Sequence, residues 1–81
     1  MVVGYIFLVT RPGEEYKVYD ALKELKKELP EIKDIVLLFG EYDIVVRVEA
    51  ETTEKLVKII VERIRTLDGV LTTKTYTGMA L

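Results

Sequence analysis

The 81-residue chain contains no cysteine, histidine, serine, asparagine, glutamine or tryptophan. Without cysteine there is no disulfide framework, thiolate cluster or iron–sulfur ligation. Without serine, cysteine and histidine the usual nucleophile–base pairs have no members, and only threonine, tyrosine, lysine and the carboxylates remain for chemistry. Most enzyme classes fall away, and no cofactor is expected. An excess of one charge is missing too: 12 Lys and Arg stand against 14 Asp and Glu, giving −2. The two signs are interspersed, so no basic stripe is available to neutralise phosphates, and direct nucleic-acid binding is disfavoured. The longest uncharged run, Met1–Thr10, is too short to span a bilayer and lacks the basic start and cleavage pattern of a signal peptide. A cytoplasmic protein is expected. Abundant Glu and Lys without Asn, Gln or Cys fits a thermophilic source.

What is present is a globular balance, 49% hydrophobic and 32% charged residues, in a chain short enough for one core spanning residues 1–81. Val2–Thr10 is rich in β-branched and aromatic residues and ends at Arg11-Pro12-Gly13, so it reads as a strand. Both of its alternating sets are apolar, Val3, Tyr5, Phe7 and Val9 on one side and Val2, Ile6 and Leu8 on the other. Glu14–Leu29 reads as a helix, with Val18, Leu22, Leu25 and Leu29 at helical spacing and Pro30 as its stop. Ile32–Phe39 and Asp43–Ala50 read as strands joined by a tight hairpin at Gly40-Glu41.

Thr52 is a candidate N-cap for a second helix reaching about Leu67. Its apolar stripe is expected at Leu56, Val57, Ile60, Val61, Ile64 and Leu67, with Ile59 off-centre and Glu54–Lys58 as an exposed ion pair. Asp68-Gly69 closes that helix, and Val70 to about Tyr76 forms the last strand, followed by a short tail. The order strand–helix–strand–strand–helix–strand predicts an α+β, ferredoxin-like βαββαβ sandwich. Both helices then lie on one face of a four-stranded antiparallel sheet.

Two helices leave the other sheet face open. Four strands of five residues present roughly 300 Å2 of geometric face before side-chain relief is added. An apolar patch of that order usually marks an interface, so two copies are expected to dimerise through Tyr5, Phe7 and their neighbours. The rival is a soluble monomer whose Tyr5 and flanking Lys and Thr side chains cover the face. An RNA-recognition reading of the aromatics is weaker, because the other central strand, Ile44–Val48, has none and no basic surround exists.

Two segments carry ligand-binding chemistry. In Phe39-Gly40-Glu41-Tyr42-Asp43, Gly40 permits positive φ and close approach, Tyr42 offers a ring and a hydroxyl, and Asp43 offers a carboxylate for an ammonium. An ordinary hairpin with Asp43 bonding backbone amides explains the same residues. Thr73, Thr75 and Thr77 alternate onto one face of the last strand, though threonine is also simply a good strand former. Together a hydroxyl ladder and a Gly–Tyr–Asp loop suit a zwitterion.

At these residues the chain resembles the Lrp/AsnC family of transcription regulators, in their C-terminal effector-binding (RAM) module. Gly40-Glu41-Tyr42-Asp43-Ile44-Val45 is similar to the family's hairpin, and Gly69-Val70 followed by Thr73 and Thr75 to its closing strand. The resemblance implies a homo-oligomer: dimers through the sheets, assembled further into an octamer or larger ring. It also implies a small amino acid effector held between neighbouring dimers by Gly40, Tyr42, Asp43, Thr73 and Thr75. The chain begins at the module's first strand, so the resemblance is to a stand-alone RAM protein lacking the helix-turn-helix. Such a protein would modulate the assembly of full-length Lrp/AsnC regulators without binding DNA itself. The alternatives are a small dimeric ferredoxin-like enzyme of monooxygenase or isomerase type, and a purely structural assembly module.

Overall fold

The computed structural model describes residues 1–81. Strand β1 spans Val2–Thr10, helix α1 Glu15–Glu28, strand β2 Ile32–Leu37, strand β3 Ile44–Ala50, helix α2 Thr53–Ile59 and strand β4 Val70–Met79. Helix α2 runs on into a single π turn, Ile60–Ile64. The sheet order is β2-β3-β1-β4, with every neighbouring pair antiparallel. This is the ferredoxin-like βαββαβ arrangement that the pattern predicts.

The alternation of β1 and β3 decides which face the helices cover. Ile6, Leu8, Ile44, Val46 and Val48 are wholly buried beneath them, with Leu22, Val18, Leu56 and Ile64 as their partners. Enclosing a Leu, Ile or Val in this way stabilises the fold by about 1.5–3 kcal/mol each. Gly4 sets the height of α2: a Cβ there would sit 3.1 Å from Leu56 Cδ1, so the bare backbone lets that leucine lie directly on β1. Thr52 caps α2 as expected, its hydroxyl accepting the Lys55 N–H at 3.1 Å.

Four details of these elements differ from the sequence reading. Strand β2 ends at Leu37, and Phe39 stands fully in solvent. Strand β4 continues through the residues read as a tail, ending at Met79. The buried stripe of the second helix is rotated: Ile59 belongs to the core, whereas Val57 and Val61 are 47% and 44% exposed. The cause is a segment apolar on nearly every side, in which spacing alone does not choose a face. Contact with Gly4 and the extra residue of the π turn fix it instead. Glu54 and Lys58 stand exposed without an ion pair between them.

The Asp68-Gly69 stop is fastened from two directions. Gly69 has φ +104°, and its carbonyl accepts the Arg11 N–H at 2.8 Å. Asp68 receives Lys17 Nζ at 2.5 Å and Arg11 Nη2 at 2.6 Å, while Glu14 pairs with the same two cations. Hydrogen bonds from Lys17 and Arg11 hold the Asp68 carboxyl down to about 2. The Arg11 hydrogen bond likewise holds Glu14 below the ordinary glutamate value.

Candidate functional site

The hairpin between β2 and β3 is laced to the end of β1. Leu38 N–H donates to the Asp43 carbonyl and Asp43 N–H to the Leu8 carbonyl, both at 2.8 Å. Asp43 Oδ2 accepts the Thr10 N–H at 2.8 Å and the Thr10 hydroxyl at 3.2 Å. Thr10 is almost fully buried, so this carboxylate satisfies a donor that water does not reach. Gly40 departs from expectation: its φ is not positive, and a Cβ built on it meets nothing within 4 Å. Neither the chain's own conformation nor its own atoms require a glycine there. Tyr42 turns onto the open sheet face, its ring centroid 5.5 Å from that of Phe7.

Strand β4 is an edge strand, and its alternation separates two sets of side chains. Thr73, Thr75 and Thr77 stand opposite Leu8, Ile6 and Gly4, on the helix side of the sheet. With Val57, Ile60, Val61 and Arg65 they line a groove of about 330 Å3 between β4 and the α2–π segment. None of these three hydroxyls bonds within the chain, whereas those of Thr10, Thr52 and Thr66 do. The sequence reading found the threonines and missed Val57, Val61 and Arg65 as their opposite wall. The available signal was the four-residue spacing of those three residues, one face of a helix.

The other set, Thr72, Lys74 and Tyr76, pairs with Val9, Phe7 and Tyr5 on the open face. Phe7 lies at its centre, with Tyr76 edge-on at 6.0 Å on the side away from β3. Tyr5 is 46% exposed, and Val36, Val45 and Val9 extend the apolar surface. Polar groups border it. Arg47 Nε holds Asp34 at 2.7 Å and Arg47 also pairs with Glu49. Lys74 Nζ stands 5.5 Å from the centroid of the Tyr76 ring, and its proximity to that phenol pushes the ammonium pKa up.

Within one chain the expected ligand residues therefore fall into two places. Gly40, Tyr42 and Asp43 belong to the hairpin, with Tyr42 on the open face. Thr73 and Thr75 line a groove on the opposite side of the sheet, and the hairpin residues are not part of its lining. Tyr5 and Phe7 share the open face. No group of three or more acidic residues converges in a way that would hold a metal ion. No helix is long and apolar enough to cross a membrane.

Comparison with known proteins agrees with this architecture. The chain is 33% identical to the hypothetical protein PHS023 from Pyrococcus horikoshii, over 100% of this chain and 93% of that one, with a TM-score of 0.83. It is also 33% identical to FFRP-DM1, over 98% of this chain and 100% of that one, with a TM-score of 0.81. The fold recurs at 13% identity in the transcriptional regulator NMB0573 of Neisseria meningitidis, solved as an L-Met complex, over 98% of this chain and 50% of that one, with a TM-score of 0.78. No curated protein matches the sequence. Residues 5–80 match the family model of the Lrp/AsnC ligand binding domain, and the chain belongs to that family.

Proposed function

We propose that the chain is a non-enzymatic module, a single domain over residues 1–81, that binds a small amino acid between protomers and couples its binding to assembly. The observation that carries this reading is the groove beside β4, where the Thr73 and Thr75 hydroxyls face an open space with no partner in their own chain. Those hydroxyls serve the effector carboxylate. The hairpin of a neighbouring copy supplies Gly40, Tyr42 and Asp43, the carboxylate of Asp43 meeting the ammonium through its second oxygen. A glycine that its own chain does not require, beside a fully exposed Phe39, supports close approach of another molecule at the hairpin. The structural neighbour NMB0573 was solved as a complex with L-Met, which supports an amino acid as the effector class.

Copies associate through Tyr5 and Phe7 on the open sheet face, and dimers combine into a larger ring. A ligand that prefers one assembly contributes its differential affinity to that state, and this is the route by which the module modulates full-length Lrp/AsnC regulators in the cytoplasm. Interspersed charges with a net of −2 disfavour direct DNA contact by this chain. Calorimetry against the twenty amino acids, paired with sedimentation velocity, tests the proposal. Heat from at least one amino acid, with a shifted sedimentation profile, is expected. No heat from any of them, in a preparation verified as the higher oligomer, removes the sensing role.

A further inference from the structure

Arg65 is distinguished among the arginines by having nothing to hold. Arg11 pairs with Glu14 and Asp68, Arg47 with Asp34 and Glu49, and Arg63 with Glu28. Arg65 makes no ion pair and lines the groove with Thr73, Thr75 and Thr77. It follows directly on the π turn, its N–H donating to the Ile60 carbonyl at 2.8 Å. Such turns recur at functional sites because the inserted residue re-aims the side chains around it.

We propose that Arg65 anchors a carboxylate in this groove, and that the groove takes monocarboxylates bearing a short aliphatic side chain. The proposal rests on the reading of the chain as an effector-binding module and names the chemistry of one half of that site. A guanidinium presents parallel N–H donors that match both oxygens of a carboxylate, and the threonine hydroxyls add rotatable donors. A single cation among neutral hydroxyls suits one negative charge rather than a polyanion. Val57, Ile60 and Val61 supply an apolar wall for a branched or thioether chain. The volume of about 330 Å3 stands at the lower end of the ~300–1,000 Å3 found for small-molecule sites. No acidic residue lines the groove, so nothing in it recognises an ammonium. The carboxylate is therefore the required handle and the amino group is optional for this half-site.

A cation at a helix C-terminus also complements the helix dipole, and that role needs no ligand. Binding measurements separate the two. Wild type, Arg65→Gln and Thr75→Val are titrated calorimetrically with leucine, methionine, 4-methylpentanoate and leucinamide, and each variant is also melted. Arg65→Gln is expected to weaken the acids by about 10-fold or more, the usual scale of a lost charge-assisted hydrogen bond. Thr75→Val weakens them by about 3- to 10-fold. Leucinamide binds no better to wild type than to Arg65→Gln. Undiminished binding of an amino acid by Arg65→Gln overturns the anchor while leaving the sensing function intact. Arg65-dependent binding of 4-methylpentanoate without binding of leucine or methionine keeps the anchor and removes aliphatic amino acids as the effector. Absence of binding by all three acids overturns the anchor, and the sensing function then falls only if the twenty-amino-acid titration is silent too.

Discussion

Asp43 Oδ2 takes both the backbone N–H and the hydroxyl of Thr10, at 2.8 and 3.2 Å, and so ties the hairpin to the last residue of β1. Removing the carboxylate leaves a buried N–H unsatisfied, which costs about 1–3 kcal/mol. Asp43→Ala is therefore expected to lower denaturant-unfolding stability by that amount. Asp43→Asn keeps an oxygen acceptor and should lose less stability, while forfeiting the charge available to an ammonium. Comparing the two variants by unfolding and by calorimetry separates the structural duty of Asp43 from its proposed ligand duty. Equal stability of Asp43→Ala and wild type would contradict the first.

Two glycines make opposite demands. Gly69 has φ +104°, and a Cβ there would stand 2.7 Å from Val18 Cγ2. Gly69→Ala combines a left-handed penalty with a core clash, and should destabilise by about 2–4 kcal/mol. Gly40 meets nothing within 4 Å and has no positive φ. Gly40→Ala should stay within about 0.5 kcal/mol of wild type on unfolding, its effect confined to ligand binding or assembly. A large loss of stability in Gly40→Ala would place its role inside the chain.

The contrast between these glycines shows what the sequence made legible. Gly69 follows an apolar helix and precedes a strand, so local grammar assigns it a left-handed stop. Gly40 occupies an equally plausible turn, yet the Leu38 N–H closes the hairpin on the Asp43 carbonyl without positive φ. Element order was readable from the turn signals, and one sheet face from β3, where Ile44, Val46 and Val48 alternate with Val45, Arg47 and Glu49; β1 is apolar on both sides and carries no such choice of face. The rotation of α2 was not readable, since Val57, Ile59, Ile60 and Val61 are all apolar, and the approach of Leu56 to Gly4 together with the π turn selects among them. Arg65 was overlooked for the same reason, because its place in the groove depends on that rotation and on the π turn. The separation of Tyr42 from the threonines by the thickness of the sheet is a tertiary fact with no local signature.

The Asp68 cluster predicts an acid-sensitive component of stability. Its carboxyl is held near 2 by Lys17 and Arg11, against an ordinary 3.8. A carboxylate depressed on folding stabilises the native state fully above its unfolded value and loses that contribution as pH falls through the folded one. The loss in this chain runs from 3.8 down toward about 2. Asp68→Asn should flatten the decline in melting temperature across that window, with Glu14, also depressed, preserving part of it. The groups are exposed, so 1 M salt should shrink the difference between wild type and Asp68→Asn. Identical acid profiles for the two proteins would mean that the cluster contributes nothing to folding.

Phe7 tests the open face most directly. Its ring lies between Tyr42 and Tyr76 at 5.5 and 6.0 Å, with half-exposed Tyr5 two residues away on the same strand. In an isolated chain an aspartate at this position reaches water, so Phe7→Asp should fold. In the proposed dimer it is enclosed against a second apolar face, and an unpaired buried charge costs about 3–5 kcal/mol. Dimer dissociation is therefore expected to strengthen by about 100-fold or more, read by sedimentation equilibrium across a dilution series. Circular dichroism of the same samples verifies the fold. A folded Phe7→Asp protein that sediments like wild type would move the interface off this face, since no arrangement that covers Phe7 in a dry contact tolerates the carboxylate.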